Sequence, residues 1–252
     1  MAHFTETNLC WQNLDGRLKI PFNMIVSGPT GAGKSTLVGK ILDPKRMMLN
    51  GNFKYILVFI GTTLRSNTMA QTLLKQYPKR CRVYPNTLSN SDKKHFLEFL
   101  SGEVEKAGTD GGLLIFDDLM REVTESGVLV PLFTKLCSHN DISTIFVTQN
   151  IFDKGAKNDA STVYRNAHYI AIFDCSLDNT TLEHVARKLS PSRFRPMAAF
   201  LAAVCSTYGY VFIDGRQQRN GENIMKFRTD LGGLTENGIP YQRIISPPDV
   251  IA

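Results

Sequence analysis

The residue pattern with the clearest chemistry is a glycine-rich octapeptide that ends in a lysine and a serine. Residues 28–35 read Gly-Pro-Thr-Gly-Ala-Gly-Lys-Ser, which fits the spacing G-x-x-x-x-G-K-[ST]. Glycines carry no Cβ and adopt positive φ angles, so such a backbone can wrap closely around a phosphate. Its N–H groups and the N-terminal end of the following helix attract phosphate oxygens. The pattern therefore predicts a site for the phosphates of a nucleotide.

Each residue of this phosphate loop has an expected task. We expect Lys34 to bridge the β and γ phosphates and the hydroxyl of Ser35 to bind Mg²⁺. Thr36 begins the helical pattern that leads out of the loop. The predicted nucleotide contacts are Gly28, Pro29, Thr30, Gly31, Ala32, Gly33, Lys34, Ser35 and Thr36.

Two carboxylates follow a second apolar segment. Residues 113–116 read Leu-Leu-Ile-Phe and lead into Asp117 and Asp118. An aspartate is a poor choice for packing at the end of a buried strand, but there it can hold the hydration shell of Mg²⁺. We assign that task to Asp117, and we assign to Asp118 the polarisation of the attacking water as a general base. Glu122 and Glu125 lie close in sequence and are alternatives to Asp118.

A third polar strand end lies farther along the chain. The apolar segment 143–148 ends in Gln149 and Asn150. A polar side chain at such a strand end can sense the γ-phosphate or orient the attacking water. We predict this role for Gln149, with Asn150 as the second candidate.

The elements that must position these residues alternate between strand and helix patterns. The strand segments are apolar on both faces, which predicts buried, mainly parallel strands flanked by helices in an α/β fold. Residues 102–112 are rich in glycine and polar side chains and predict a loop. The predicted strands are 22–27, 55–60, 82–84, 113–117, 144–148, 168–173 and 208–213, and the predicted helices are 35–42, 68–77, 91–100, 128–138, 179–189 and 192–205.

The same pattern suggests three parts of the chain. We expect an N-terminal extension over residues 1–21, a nucleotide-binding domain over residues 22–231 and a C-terminal tail over residues 232–252. The tail contains Pro240, Pro247 and Pro248 and is predicted to be irregular.

Composition excludes several classes of protein. Of the 252 residues, 42% are hydrophobic and 21% are charged, which is enough apolar surface for a folded core and excludes disordered and fibrous chains. No apolar run reaches the ~18 residues that cross a bilayer, so we expect no membrane anchor. A secretory signal is not expected either. The five cysteines are widely spaced, which favours reduced thiols over a disulfide framework or a zinc site.

The formal net charge is +6, which permits a polyanionic partner. A protein that moves DNA regardless of sequence contacts phosphates and not bases. The sequence has three clusters of basic residues that could make such contacts, and solvated helix faces are the alternative explanation for these clusters. The clusters are Lys75, Lys79, Arg80, Arg82, Lys93 and Lys94; the segment 187–195 with Arg187, Lys188, Arg193 and Arg195; and Arg216, Arg219, Lys226 and Arg228.

Four motifs together resemble the viral genome-packaging ATPases of the poxvirus type, which also occur in virophages, polinton-like elements and adintoviruses. They are the phosphate loop with Thr36 and Leu37, LLIFDDL over 113–119, ISTIFVTQNIF over 142–152 and NAHYIAIF over 166–173. This group belongs to the FtsK–HerA superfamily, and the resemblance covers most of residues 22–214. It implies a RecA-like P-loop core in which the strand before Gln149 lies between the strands that end at Ser27 and Asp117.

The resemblance also implies a function. Members of the group are ATP-driven translocases that package double-stranded DNA into a preformed capsid, working as hexameric or pentameric rings that hydrolyse ATP at subunit interfaces. The implied cofactors are ATP and Mg²⁺, and the implied partner is a viral capsid or portal component. The implied location of the protein is the cytoplasm or nucleus of an infected cell, or the virion. Lys34 and Ser35 would serve ATP and Mg²⁺, Asp117 would serve Mg²⁺, and Asp118 and Gln149 would be the catalytic carboxylate and the sensor.

One departure from the wider superfamily concerns the arginine that acts in a neighbouring subunit. Relatives often carry it just before the Gln149 strand, but residues 135–140 read Lys-Leu-Cys-Ser-His-Asn. An arginine finger contributes roughly 10³–10⁵ in rate, so a ring ATPase is expected to have one. The candidates, in order, are Arg165, Arg187 and Arg121.

Two other classes stay open at this point. A P-loop nucleotide or nucleoside kinase would use the cluster 187–195 as a lid over a small acceptor. A structural virion subunit would use nucleotide only to lock assembly. The polar strand end at Gln149 favours a motor over the kinase, and Asp118 with Gln149 argues against the structural subunit.

Overall fold

The structure, a computed structural model, describes residues 5–10, 17–85, 93–108, 111–119, 141–150, 164–173, 180–216, 226–234 and 240–246. The chain forms two compact units whose segments alternate along the sequence. The first unit comprises Met1–Arg17, Ser27–Met48 and Tyr169–Ala252, and the second unit comprises Leu18–Val26 and Leu49–His168. Across the described residues, every helix is too short or too polar to cross a membrane.

The bounds of the described elements are as follows. The strands are β1 (Thr5–Cys10), β2 (Asn23–Ser27), β3 (Tyr55–Ile60), β4 (Cys81–Pro85), β5 (Gly112–Asp117), β6 (Ser143–Thr148), β7 (Tyr169–Phe173), β8 (Tyr210–Asp214), β9 (Lys226–Leu234) and β10 (Pro240–Ser246). The helices are α1 (Lys34–Leu42), α2 (Thr68–Gln76), α3 (Lys93–Ala107), α4 (Thr180–Leu189) and α5 (Phe194–Tyr208).

The second unit contains the predicted parallel strands. They lie in the order β2-β6-β5-β3-β4, and the pairs β3–β4, β3–β5 and β5–β6 are parallel. Every residue of β2, β3, β5 and β6 is buried, as expected for strands that are covered on both faces. Strand β6 lies between β2 and β5, which confirms the strand order that the resemblance implied.

A row of aromatic rings fixes the register of these strands. Phe146, Phe116, Phe59 and Tyr84 are paired neighbours on β6, β5, β3 and β4. Their rings stack with centroid distances of 4.6, 5.2 and 5.1 Å along the row. Aromatic pairs on neighbouring strands add to the stability of a given register. Because Phe116 precedes Asp117, the row holds the carboxylate at the end of β5.

Helix α3 is longer than predicted, and the loop prediction for residues 102–112 is wrong up to Ala107. Phe96, Leu100 and Val104 are buried at a spacing of four residues, so the apolar face continues past Gly102. Within this extended part of the helix, Glu103 accepts a hydrogen bond from Lys106 at 2.8 Å. The glycine and polar content concealed this periodicity.

Strand direction in the first unit departs from the sequence prediction. Strand β7 pairs antiparallel with β8, and β8 pairs antiparallel with β9. Helix α5 ends at Tyr208, and Gly209, with φ 79°, turns the chain directly into β8. An apolar pattern reports that both faces of a strand are covered, but it carries no information on direction. The fold as a whole remains the predicted mainly parallel α/β type.

The C-terminal segment is more regular than predicted. Strand β10 pairs antiparallel with both β1 and β9, so residues 240–246 are not irregular. Pro240 is the first residue of the strand, a position where a missing N–H is tolerated. Ile245 is buried, and Arg243 lies 3.3 Å from Asp230 of β9.

Candidate nucleotide site

The phosphate loop begins where β2 ends and leads directly into α1, as predicted. Gly31 and Gly33 have φ angles of 82° and 101°, in the left-handed region that favours glycine. The N–H of Ala32 donates to the carbonyl oxygen of Pro29 at 3.3 Å and closes a tight turn. The loop therefore has the curved backbone that a bound phosphate requires.

Lys34 lies across the start of this loop. Its ammonium group donates to the carbonyl oxygens of Gly28 and Pro29 at 2.7 and 2.9 Å. A positive charge is thus held next to the curved backbone. The ammonium group of a lysine in this place can exchange carbonyl oxygens for phosphate oxygens with only a small movement of the side chain.

The N-terminal turn of α1 adds to the attraction for anions. Gly33 precedes the helix and accepts the N–H of Leu37 at 2.9 Å, and the first turn has no acidic side chain. The first N–H groups of a helix lack partners within the helix and carry a partial positive charge. Ser35 and Thr36 belong to this turn. The opposite face anchors the helix through four buried residues, Leu37, Val38, Ile41 and Leu42.

Gly28 is required for a steric reason. A Cβ on this residue would lie 2.5 Å from Cβ of Phe173 on β7. Phe173 is 5% exposed and its ring stacks on Tyr210 at 5.1 Å. The hydroxyl of Tyr210 in turn accepts the N–H of Leu231 at 2.8 Å. The base of the phosphate loop therefore rests on a packed aromatic pair.

In the second unit, β5 ends in a buried carboxylate. Asp117 is 8% exposed, and its Oδ2 accepts a hydrogen bond from Nδ2 of Asn67 at 2.7 Å. Its carbonyl oxygen accepts the N–H of Gly61 at 3.0 Å. Carboxylate and hydroxyl oxygens are the ligands that Mg²⁺ prefers. Asp117 and Ser35 thus have the chemistry for Mg²⁺, and the glycine cradle has the shape for phosphates.

The two neighbouring aspartates differ in exposure. Asp118 is exposed and has a left-handed φ of 57°, and its N–H donates to the carbonyl oxygen of Val147 at 3.1 Å. Nε2 of Gln149 donates to Oδ1 of Asp118 at 3.2 Å. The structure therefore joins the two residues that sequence analysis predicted for orienting and polarising water. Asn150 receives a hydrogen bond at its carbonyl oxygen from the hydroxyl of Thr148 at 3.2 Å.

Sequence reasoning missed Asn67. It immediately precedes the predicted helix 68–77, and asparagine before a helical pattern is a signal for a cap. Its Oδ1 does accept the N–H of Ala70 at 2.9 Å. The contact with Asp117, which lies 50 residues away, leaves no local signal in the sequence.

The candidate arginines have different surroundings. Arg165 is exposed and follows the buried Tyr164. Arg187 lies 4.5 Å from the ring centroid of Phe194 and 3.6 Å from the carboxylate of Glu183. Arg121, the alternative carboxylates Glu122 and Glu125, and the predicted helix 128–138 lie outside the described residues.

The basic clusters are only partly exposed. Arg228 is 6% exposed and pairs with Asp214, so it is not a solvated cation. Arg82 is exposed and lies 3.5 Å from Glu103. The other exposed members are Lys75, Lys79, Arg80, Arg187, Lys188, Arg193 and Arg195.

Comparison with known proteins gives one family and one fold. The family model described as Poxvirus A32 protein matches residues 12–190, more than two thirds of the 252 residues. No curated protein sequence matches the chain. The genome packaging NTPase B204 from Sulfolobus turreted icosahedral virus 2, in complex with AMP, matches with a TM-score of 0.52 and 16% identity over 82% of this chain and 96% of its own.

Two further solved structures have lower scores. B204 in complex with ATP-gammaS matches with a TM-score of 0.49 and 16% identity over 82% of this chain and 95% of its own. The assembled ATPase EscN from the type III secretion system of enteropathogenic E. coli matches with a TM-score of 0.42 and 16% identity over 62% of this chain and 43% of its own. The AMP complex of B204 shows that this chain shares the fold of that packaging NTPase.

Proposed function

The chain belongs to the poxvirus A32 protein family and is a viral packaging ATPase, and from this premise we propose that it translocates double-stranded DNA into a capsid. Two further features support the proposal. The phosphate loop carries a lysine held on its own carbonyl oxygens, and the acidic strand end carries a glutamine bonded to the second aspartate. The second feature is the one that carries the proposal of hydrolysis, because nucleotide binding alone needs no group that orients water.

We propose the following roles in nucleotide binding. Lys34 leaves the carbonyl oxygens of Gly28 and Pro29 and contacts the β and γ phosphates, which the N–H groups of the loop and of the first turn of α1 also bind. The B204 structure with AMP supports nucleotide binding by this fold. Ser35 and Asp117 hold Mg²⁺ and its water shell. Bound Mg²⁺ supplies charge neutralisation at the phosphate oxygens.

Hydrolysis needs a water molecule that is oriented and polarised. We propose that Asp118 accepts a proton from this water and that Gln149 orients it. The hydrogen bond of 3.2 Å between Gln149 and Asp118 holds both side chains in one place before the water arrives. The side chain of Asp118 is exposed, so water can reach its carboxylate directly from solvent.

Translocation adds partners to this chemistry. We propose that the chain works as a hexameric or pentameric ring, that Arg165 of one subunit completes the site of its neighbour, and that exposed basic residues contact DNA phosphates without reading sequence. Arg187 is the second candidate for the arginine finger. Family membership implies action in an infected cell during virion assembly, and the capsid or portal is the proposed docking partner.

The test is ATP hydrolysis with and without linear duplex DNA, at several protein concentrations. We expect DNA to stimulate phosphate release and activity to rise more steeply than protein concentration, because the sites are completed by neighbouring subunits. Lys34→Ala is expected to abolish hydrolysis. Lys40→Ala is the matched control, since Lys40 is an exposed cation on the same helix.

Three results would contradict the proposal. Unchanged hydrolysis in Lys34→Ala would show that the active site is elsewhere. A phosphorylated small molecule in place of free phosphate would identify a kinase. Activity that is strictly proportional to concentration and indifferent to DNA would exclude a ring motor.

A further inference from the structure

We propose that Asn67 is a positioning residue that sets the orientation of the Asp117 carboxylate and thereby the strength of Mg²⁺ binding. The proposal rests on the role of Asp117 given under the proposed function. It starts from one contact: Nδ2 of Asn67 donates to Oδ2 of Asp117 at 2.7 Å, and both residues are buried.

The orientation of the Asn67 amide is determined by its two partners. The N–H of Ala70 can only donate, so Oδ1 of Asn67 must face it, at 2.9 Å. An ionised carboxylate can only accept, so Nδ2 must face Asp117. The two contacts require the same amide orientation. The side chain therefore caps α2 and orients the carboxylate at the same time.

The position of Asn67 in the chain strengthens the argument. The segment 62–66 between β3 and α2 is exposed along its whole length. One end is Gly61, whose N–H donates to the carbonyl oxygen of Asp117 at 3.0 Å, and the other end is Asn67. Asp117 is thus held by both ends of one loop, through its main chain and through its side chain. The main-chain contact holds the end of β5 in place, and the side-chain contact orients the carboxylate.

A carboxylate that binds Mg²⁺ depends on such outer contacts. Removing a hydrogen bond to a metal ligand typically costs about 10- to 100-fold in metal affinity or activity. Loss of the Asn67 donor would remove one of the contacts that orient the Asp117 carboxylate. We therefore expect Mg²⁺-dependent properties to change while nucleotide binding without Mg²⁺ does not.

The chain offers variants that separate this role from the role in capping. Asn67→Ser keeps an oxygen that caps α2 but has no amide donor to reach Asp117. Asn67→Ala removes both functions. Gln71→Ala is the matched control, because Nε2 of Gln71 ties the same helix to the same loop by donating to the carbonyl oxygens of Leu64 and Arg65 at 3.0 and 2.8 Å.

The experiment measures the affinity of the full chain for a fluorescent, non-hydrolysable ATP analogue in EDTA and in excess Mg²⁺. Wild type is expected to gain affinity from Mg²⁺. For Asn67→Ser we expect unchanged affinity in EDTA, a Mg²⁺-dependent gain that is smaller by about 10-fold or more, and a Mg²⁺ half-saturation of hydrolysis that is higher by a similar factor. Thermal unfolding reports on folding, and Asn67→Ser is expected to unfold near the wild-type temperature. Gln71→Ala is expected to keep the wild-type response to Mg²⁺.

Coupling to Asp117 is tested in the same assay. If Asn67 acts through Asp117, Asn67→Ser has no further effect on the Mg²⁺ response in the Asp117→Asn background. The effects of substitutions at two residues in direct contact are not additive. A wild-type Mg²⁺ response in Asn67→Ser, with Lys34→Ala inactive, would overturn this inference and leave the proposed function standing. Wild-type behaviour of both Lys34→Ala and Asp117→Asn would overturn the proposed function and this inference with it.

Discussion

Gly28→Ala tests whether the phosphate loop rests on β7 as the structure shows. The added Cβ would lie 2.5 Å from Cβ of Phe173 and 3.4 Å from its Cα. Carbon atoms in ordinary contact are about 3.5–4.0 Å apart, so the loop or the strand must shift by about 1 Å. Both atoms are fixed to the main chain, so no change of rotamer relieves the contact.

The size of the effect follows from that displacement. A misplacement of about 1 Å at a site that positions reacting groups can cost about 100-fold. We therefore expect kcat/KM for ATP to fall by about 100-fold in Gly28→Ala, with a matching loss of affinity for the non-hydrolysable analogue. Gly39→Ala is the comparison, because a Cβ there meets no atom within 4 Å and Gly39 lies inside α1, outside the phosphate loop. Alanine is favoured over glycine in a helix by about 0.5–1 kcal/mol, so we expect no loss of affinity in this variant.

The double variant Gly28→Ala with Phe173→Ala sharpens the test. Alanine retains the Cβ that makes the close contact, so removing the ring does not restore nucleotide binding. Phe173→Ala alone is expected to cost about 3–5 kcal/mol in the free energy of unfolding, since a buried aromatic ring is lost. Wild-type binding by Gly28→Ala, an equal loss of affinity in Gly39→Ala, or rescue by the double variant would each refute the reasoning.

Three further predictions concern the second unit. Gln149→Ala removes the donor to Asp118, so kcat is expected to fall by about 100-fold while analogue affinity stays within twofold; a parallel loss of affinity would contradict the role in hydrolysis. Gly61→Ala places a Cβ 2.5 Å from the carbonyl oxygen of Asp118, so we expect kcat to fall as well, and an unchanged kcat would show that the loop adjusts. Burial, with the hydrogen bond to Glu103, raises the pKa of Tyr84 from 10.0 to about 12. The neutral form of Tyr84 stabilises the fold below pH ~10, and this contribution is lost as the pH rises towards ~12. Phenylalanine cannot ionise. Urea titrations between these pH values are therefore expected to show a smaller decrease in the free energy of unfolding for Tyr84→Phe than for wild type.

Local patterns in the sequence predicted most of the elements and the loop that we propose binds phosphate. The octapeptide at 28–35 lies between a strand and a helix because its glycines and the apolar segments on both sides are short-range features. The strand order with β6 between β2 and β5 followed from the resemblance, since no residue in β6 identifies its neighbours by itself. The ends of elements were less predictable: α3 continues through Gly102, and β8 begins later because Tyr208 still belongs to α5.

What the sequence could not predict depends on contacts between distant residues. The direction of β7 against β8 is one case, because alternation and burial are the same for parallel and antiparallel strands with both faces covered. The contact between Asn67 and Asp117 is another, because the cap is visible in the local sequence but the carboxylate is 50 residues away. The buried pair of Arg228 and Asp214 is a third, since charge counting treats every arginine as solvated.

The left-handed conformation of Asp118 explains how two consecutive aspartates can serve separate tasks. In an extended strand, successive side chains point to opposite faces, and both faces of β5 are buried. A second aspartate in extended conformation would therefore enter the core, where an unpaired charge is costly. With φ at 57°, the chain leaves the strand at Asp118, whose carboxylate is exposed and bonded to Gln149 while Asp117 stays buried beside Asn67. Such a φ costs about 1–3 kcal/mol outside glycine and persists where other contacts hold it, here the bond from the N–H of Asp118 to Val147. The left-handed conformation of Asp118 thus leaves one carboxylate in the buried position that we propose for Mg²⁺ and the next in the exposed position that we propose for polarising water.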